Sequence, residues 1–332
     1  MPQDAHRELC ARMMVPGSDR LARIWEMLAD ERDAVMLLAM PGTVADLAAR
    51  ASIPEPEAER RLAGLFHRGA AFTAEKGGAT VYRAPRHLIQ FHDASAQWPE
   101  APTAFLDLWR EFMHAEYAAL IATLLASGFP AFMRVVPSLG ALASMPDPLP
   151  SEDLRRMLVE ADGIALCRCP CRRVERNCDA PGESCVQFGK GARYNLARGT
   201  GRPLTADEAM DFLRRAEDEG LVHCVDNHAA MGTFLCNCCS DCCAILLPYQ
   251  HAEGCRGIVA PSRYRARVAA DVCTGDGACA GLCPVGAIVV DESAAVAVVD
   301  AERCLGCGLC VNACEFGAAS LAAVRPPEFV PA

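Results

Sequence analysis

Lysine is nearly missing from this chain of 332 residues. Among the 32 basic residues only Lys76 and Lys190 are lysines, and 42 acidic residues give a net charge of −10. Such an acidic balance argues against a general nucleic-acid-binding protein. An acidic surface instead suits docking to the basic face of a redox partner.

Long apolar runs are also missing. The most apolar segment, residues 118–132, is shorter than a bilayer-spanning helix and contains Gly128 and Pro130, so we predict a buried helix and no membrane span. Residues 1–14 contain acidic side chains and no unbroken apolar stretch, which argues against a secretory signal. The expected location is cytoplasmic, where clustered cysteines are metal ligands or redox groups before they are disulfides.

The sequence also lacks the common nucleotide-binding and hydrolase motifs. The sequence contains no Walker loop, no glycine fingerprint of a dinucleotide-binding fold and no recognisable Ser-His-Asp set. We therefore expect an electron-transfer component of an oxidoreductase system rather than a stand-alone enzyme. Flavin or nicotinamide chemistry would have to come from a partner, such as a flavoprotein or a reductase.

Cysteine, by contrast, is abundant and unevenly distributed. Nineteen of the 20 cysteines follow residue 166, and Cys10 stands alone before them as an expected spectator. This distribution separates a cysteine-poor first half from a second half that binds metal or carries redox chemistry.

The N-terminal part has the pattern of a small helical domain with a hairpin. Capping and breaking residues predict helices over residues 44–51 and 54–69, followed by strand-like segments over 70–74 and 80–83. Helix, turn, helix and hairpin resemble a winged-helix domain, which would imply DNA binding through the second helix. Glu55, Glu57 and Glu59 would repel the phosphates at that position. The favoured role is therefore homodimerisation or docking of a partner protein.

Two cysteine motifs, 31 residues apart, dominate the C-terminal part. Cys304, Cys307, Cys310 and Cys314 have the C-x2-C-x2-C-x3-C spacing that surrounds a cubane iron-sulfur cluster with thiolates. The earlier copy repeats this frame with Cys273, Asp276, Cys279 and Cys283, the last followed by proline. Residues 263–322 therefore closely resemble a bacterial-type ferredoxin with two clusters.

The resemblance implies a ligand set, because the fourth cysteine of each motif serves the other cluster in such ferredoxins. One four-iron cluster would take Cys304, Cys307, Cys310 and Cys283. The other would take Cys273, Cys279, Cys314 and the group at position 276. Asp276 stands where these proteins usually have cysteine, and a carboxylate is a harder and weaker ligand for iron. This implies a four-iron centre with Asp276 or solvent at one corner, or a three-iron centre; alternatively Asp276 only caps the loop and no cluster forms there.

Twelve more cysteines lie between residues 167 and 255, and two adjacent pairs occur within eight residues. Thiolates so crowded would repel one another without a cation, so we predict a metal module here. Its expected ligands are thiols from two loops, with Arg172 and Arg173 offsetting the charge: Cys169, Cys171, Cys178, Cys185, Cys238, Cys239, Cys242 and Cys243.

The nature of this middle module stays open between one or two iron-sulfur clusters, a zinc site and a redox-active dithiol. A zinc site could also use His223, His228 or His251. The module resembles the cysteine-rich part that precedes the ferredoxin domain in some uncharacterised anaerobic iron-sulfur proteins, a resemblance that implies no function.

The predicted fold class is α+β and multidomain. The predicted ranges are a winged-helix-like domain over residues 1–100, a helical connector over 101–150, a helical cysteine-rich module over 151–262, a two-cluster ferredoxin domain over 263–322 and a tail over 323–332. The expected function is the relay of single electrons between partner proteins. Two alternatives remain: a redox-sensing transcription regulator that uses the winged helix, and a reductase with a catalytic cluster in the middle module.

Overall fold

The computed structural model describes residues 5–143, 145 and 148–332. It divides them into two compact units. The first comprises the described residues up to Leu120 with Arg168–Arg176 and Ala197–Thr200; the second comprises those of Ile121–Cys167, Asn177–Leu196 and Gly201–Ala332. Residues 146 and 147, near the end of the expected helical connector, lie outside the described part. The five predicted domain ranges stay predictions.

Helices build most of the first unit. The side chains of Ser18 and Asp30 accept hydrogen bonds from backbone amides in the first turn of the helices that follow them, where those amides have no helical partner. The apolar faces enclose Trp25 and Trp109, neither of which is exposed to solvent. In chain order the first elements are α1 (Ala5–Arg12), α2 (Asp19–Leu28), α3 (Glu31–Ala39), α4 (Val44–Ala51), α5 (Glu55–Arg68), β1 (Phe72–Lys76), β2 (Ala79–Arg83), α6 (Leu88–Ala96) and α7 (Thr103–Phe112).

The predicted pair of helices corresponds to α4 and α5. Thr43 and Asp46 form a reciprocal capping box at the start of α4, and Gly69 ends α5 with a φ of +81°. A Cβ at Gly69 would collide with the backbone of Ala94, so the position requires glycine for two reasons. The antiparallel strands β1 and β2 follow, shifted by one or two residues from the predicted segments. The winged-helix designation of this arrangement stays a prediction.

The middle of the chain is a sheet with flanking helices, and the prediction of a helical module there is wrong. Its strands are buried on both faces, as β4 and β7 show, and therefore lack the polar alternation by which sequence patterns reveal strands. β3 also lies where a helical connector was expected. The elements that follow are a π-helical turn (Met113–Tyr117), α8 (Ala118–Ala126), β3 (Met133–Val135), α9 (Leu139–Leu142), α10 (Leu154–Glu160), β4 (Ile164–Arg168), α11 (Pro170–Glu175), β5 (Glu183–Phe188), α12 (Gly189–Arg198), β6 (Gly201–Leu204), α13 (Ala206–Asp218), β7 (Val222–Asp226), β8 (Phe234–Cys238), α14 (Leu246–His251) and β9 (Val259–Ala260).

In the described residues this sheet has seven strands in the order β6-β4-β5-β8-β7-β3-β9. Its two faces differ in chemistry. Leu166, Val186 and Leu235 point into the main apolar core with the side chains of α10 and α13. Their chain neighbours alternate to the other face, where Cys167 and Cys185 pack with residues of β4 and α12. One face of the sheet therefore carries cysteines where the other carries aliphatic residues.

The C-terminal part is a small α+β arrangement of two similar halves. β10 (Tyr264–Val268) pairs antiparallel with β13 (Ala319–Ala323), and β11 (Ile288–Asp291) pairs antiparallel with β12 (Val296–Val299). The short helices α15 (Ala278–Gly281) and α16 (Leu309–Ala313) each contain the third ligand position of a cysteine motif, Cys279 and Cys310. This pairing brings the two motifs side by side.

The apolar segment of residues 118–132 is not the buried helix that we predicted. It forms α8, and no residue of that helix is fully buried. Ala122 and Leu125 approach Gly254 and Gly257, while Phe129, beyond the helix, is 51% exposed. A helix that is apolar on all sides gives no sequence signal for which side faces solvent. No helix in the described part of the chain is long and apolar enough to span a membrane.

Candidate metal centres

Two cavities in the C-terminal part are each lined by four of the predicted ligand positions. Cys283, Cys304, Cys307 and Cys310 line the first cavity. Cys273, Asp276, Cys279 and Cys314 line the second. Cys283 of the first motif lines the cavity of the second motif, and Cys314 of the second motif lines the cavity of the first. This is the crossed arrangement that the ferredoxin resemblance implies.

The loop around the first cavity depends on glycines. Gly306 and Gly308 have φ values of +67° and +82°, which non-glycine residues rarely adopt. A Cβ at Gly306 would collide with the carbonyl oxygen of Tyr264. Glycine at this position therefore lets the chain between Cys304 and Cys307 lie directly against β10.

Backbone amides donate hydrogen bonds to ligand-position sulfurs in both halves. Ala287 N lies 3.1 Å from Cys283 Sγ and Ala318 N lies 3.2 Å from Cys314 Sγ. Longer contacts join Ala266 N to Cys304 Sγ, at 3.5 Å, and Ala297 N to Cys273 Sγ, at 3.4 Å. Such bonds stabilise negative charge on sulfur and are one determinant of the reduction potential of an iron-sulfur cluster.

Without a cation, the thiols of the first cavity favour the protonated form. Burial, followed by the neighbouring thiols Cys304 and Cys283, raises the pKa of Cys310 to about 12. Burial also raises the pKa of Cys307. A metal centre would supply the positive charge that deprotonates them, so this donor set fits a thiolate-ligated cluster.

Asp276 has two hydrogen bonds within its own loop. Its Oδ2 accepts from Thr274 Oγ1 at 2.7 Å, and its Oδ1 accepts from Ala278 N at 2.8 Å. These hydrogen bonds, the one from Thr274 first, lower the pKa of the carboxyl group. Asp276 lines the second cavity and also caps the turn before α15. The geometry is therefore compatible both with an iron ligand and with a loop cap at this position.

Comparison with known proteins supports the cluster chemistry of this part. A family model described as a 4Fe-4S dicluster domain matches residues 272–318. This span contains both motifs, and it indicates iron-sulfur clusters and electron transfer as the function of the C-terminal part. No curated protein and no solved structure matches the chain.

The middle part contains a group that we call the thiol row: Cys185, Cys224, Cys236, Cys238 and Cys243. Cys236 on β8 lies directly opposite Cys185 on β5 and Cys224 on β7. Cys238 is two residues farther along β8 and interacts with Cys224, Cys236 and Cys243. The hydrogen bond with Cys224 is the largest of the interactions that raise the pKa of Cys238, which is about 11.

A second set, the three-thiol group, consists of Cys178, Cys239 and Cys242. Their sulfurs all lie within 4.8 Å of one another. Cys178 Sγ is 3.7 Å from Cys239 Sγ and 3.4 Å from Cys242 Sγ. Cys239 and Cys242 are buried against the main apolar core, and Cys178 is partly exposed beside it.

The adjacent cysteine pairs are explained by these two groups. Cys238 and Cys243 belong to the thiol row, whereas their neighbours Cys239 and Cys242 belong to the three-thiol group. Each pair thus sends one thiol to each group. The sequence prediction named six of these eight cysteines but missed Cys224 and Cys236, which alternation along strands would have indicated had the strands been recognised.

Cys169 and Cys171 belong to the first unit, whereas the thiol row and the three-thiol group belong to the second. They interact with each other, and this hydrogen bond is the first cause that raises the pKa of Cys169. Arg172 opposes that rise, as an arginine near a thiolate should. Arg173 instead donates to the carbonyls of Ala96, Trp98 and Pro99. Its expected role in offsetting cluster charge therefore has no geometric support.

A polar chain, buried except at Asn312, joins the sheet to the cysteine motif of α16. Asn312 Nδ2 donates to Glu217 Oε2 at 2.8 Å, and Glu217 Oε1 lies 3.1 Å from His223 Nε2. His223 Nδ1 is 2.7 Å from Asn237 Oδ1, and Asn237 Nδ2 donates to the carbonyl of Ser184. Because both ring nitrogens of His223 are engaged, the structure gives no support to its use as a zinc ligand.

Proposed function

We propose that this protein relays single electrons between partner proteins through several iron-sulfur clusters. The observation that carries the proposal is the pair of cavities at residues 273–314, each lined by four ligand-type side chains, within the span that the dicluster family model matches. Two clusters in adjoining motifs suit a relay, because an electron that enters at one can leave from the other. No substrate motif competes with this assignment.

In the first cavity, Cys283, Cys304, Cys307 and Cys310 would hold a four-iron cluster. In the second, Cys273, Cys279 and Cys314 would hold either a four-iron cluster with Asp276 or solvent at one corner, or a three-iron cluster. Support for the weaker corner comes from the chemistry of Asp276, because a carboxylate is a harder and weaker iron ligand than a thiolate, and both of its oxygens already accept hydrogen bonds within the loop. A bound cluster supplies the one-electron chemistry; the chain supplies thiolates and backbone amide donors.

The thiol row is the candidate for one further cluster in the middle part. Four of its thiols lie on three neighbouring strands that hold their backbones in place, and Cys243 follows in the loop after β8, so the row has one thiol more than the four that a cubane needs. Its expected role is to extend the electron path toward a partner protein, which would bring the flavin or substrate chemistry that this sequence lacks.

Iron analysis and electron paramagnetic resonance on anaerobically purified protein test this proposal. We expect about seven to eight irons per chain from the C-terminal part and about four more if the thiol row is loaded. Reduction should produce four-iron signals, and oxidation should reveal a three-iron signal from the Asp276 side. Fewer than about four irons per chain would contradict the proposal.

Matched variants make the test specific. Cys310→Ser should remove the signal of the all-cysteine cluster, whereas Cys10→Ser, a change at a buried thiol of the first unit, should leave every cluster signal in place. Specific DNA binding by the purified protein would favour the regulator instead. Reoxidation that depends on a small-molecule substrate would favour a reductase.

A further inference from the structure

The sulfurs of the three-thiol group lie close to one another. Cys178 Sγ is 3.4 Å from Cys242 Sγ and 3.7 Å from Cys239 Sγ, and all three sulfurs lie within 4.8 Å of one another. Tetrahedral zinc, with Zn–S bonds of about 2.3 Å, holds its sulfurs roughly 3.8 Å apart. Thiolates on different corners of a cubane are farther apart, because two iron atoms separate them. The spacing therefore matches ligands of a single ion.

The local sequence also has the form of a single-ion site. Cys239 and Cys242 are separated by two residues, the spacing with which a tight loop supplies two thiolates to one zinc ion. The backbone amide of Asn177 donates to Cys242, which stabilises charge on that sulfur. Asn177 Nδ2 contacts the carbonyl of Asp241, so the loop that carries Cys178 is fastened to the loop that carries the other two thiols.

Two of these thiols are shielded from solvent. Cys239 and Cys242 are 7% and 1% exposed and face aliphatic side chains of the main core. An ion bound to them would therefore be covered by protein on this side.

A fourth protein ligand is not present among the described residues. Within them, no other histidine, cysteine or carboxylate joins the group inside 4.8 Å. Cys178 is partly exposed, and Asn177, Asp179 and Asp241 around it are exposed to solvent. The remaining position of a tetrahedral ion would therefore face water.

We propose that Cys178, Cys239 and Cys242 bind one zinc ion whose fourth position is open to solvent. This site is separate from the electron-transfer clusters, since each adjacent cysteine pair contributes its other member to the thiol row. Three protein ligands and one exchangeable position are the arrangement of zinc ions that interact with an external ligand rather than only brace the fold. The open position would take water or a small thiol.

X-ray absorption at the zinc edge of the full-length, anaerobically purified protein tests this proposal without interference from iron. We expect about one zinc per chain, with three sulfur neighbours at roughly 2.3 Å and one lighter neighbour. Four sulfur neighbours would overturn the open position. Zinc-free protein that still carries its iron after purification with added zinc would overturn the site.

Variants assign the ion to these thiols. Cys239→Ser should lower bound zinc at least tenfold while iron, sulfide and the ferredoxin signals stay unchanged. Cys255→Ser, a change at a buried cysteine outside both groups, should keep zinc and iron. Loss of iron and sulfide together from Cys239→Ser, with the ferredoxin signals retained, would overturn the proposal and assign the thiols to a cluster. Because the ferredoxin signals are recorded in the same samples, failure of the zinc site and failure of the electron-transfer proposal are distinguishable.

Discussion

Asp276 is the residue at which this chain departs most clearly from the ferredoxin pattern. We expect Asp276→Cys to complete the second ligand set and to convert that site to a four-iron cluster that survives mild oxidation, because thiolate binds iron more strongly than carboxylate. Loss of the oxidised three-iron signal in electron paramagnetic resonance would report the change. Asp276→Asn, which keeps the size and the hydrogen-bond acceptor, serves as the control and should retain it. An unchanged spectrum in Asp276→Cys would mean that position 276 only caps its loop.

Glu217 is a buried carboxylate with four partners. It accepts from the amides of Leu139 and Gly140, pairs with His223 and accepts from Asn312. We expect Glu217→Ala to lower the free energy of unfolding by about 3–5 kcal/mol, because it leaves buried donors without a partner. Glu217→Gln should cost less. Denaturant unfolding of both variants beside the wild type measures this, and equal losses would contradict it.

The same carboxylate makes stability depend on pH. Burial acts to raise the pKa of Glu217, but its hydrogen bonds with His223, Leu139 and Gly140 prevail and lower it. Its stabilising contribution is therefore fully present above the pKa of glutamate in the unfolded chain and is lost as the pH falls through the lower folded-state pKa. The stability difference between wild type and Glu217→Gln should shrink on acidification through that range. A constant difference would contradict the assignment.

At the scale of elements, the cluster loops depend on backbone geometry as much as on cysteines. We expect Gly306→Ala to lower the iron content by up to about four per chain, because a Cβ there collides with the backbone of Tyr264 and opens the loop that carries Cys304 and Cys307. Gly281→Ala is the matched control, since a Cβ there meets nothing within 4 Å. Equal iron contents in the two variants would contradict this.

The sequence reveals elements whose signals are local. Caps and glycine stops define α4 and α5 to within a residue, and the cysteine motifs contain the eight positions that line the two C-terminal cavities. The central sheet could not be predicted in this way, because strands buried on both faces have no alternation of polar residues, and β3 joins the sheet only through long-range pairing with β7 and β9. Without the sheet, the division of the adjacent cysteine pairs into two groups could not be foreseen.

At the scale of the whole molecule, a net charge of −10 should govern encounters with partners. We expect the reduced protein to donate electrons to a basic acceptor such as cytochrome c at a rate that falls steeply as ionic strength rises. Stopped-flow measurement across a salt series tests this, with a small neutral acceptor as the control that should show little salt dependence. A rate that rises with salt would contradict it.

Arg263 lies at the first residue of the predicted ferredoxin domain, and both of its donor groups bind the carboxylate of Glu152, each at 2.8 Å. Arg263 and Glu152 are both buried, and Tyr264 Oη donates to the same carboxylate. A fragment that began at this boundary would expose a cation whose counter-charge stays behind in the rest of the chain, and Asn312 would lose Glu217 as well. The C-terminal part is therefore not a transferable unit by itself. Grafting it onto another protein would require the segments that carry Glu152 and Glu217 to be moved with it.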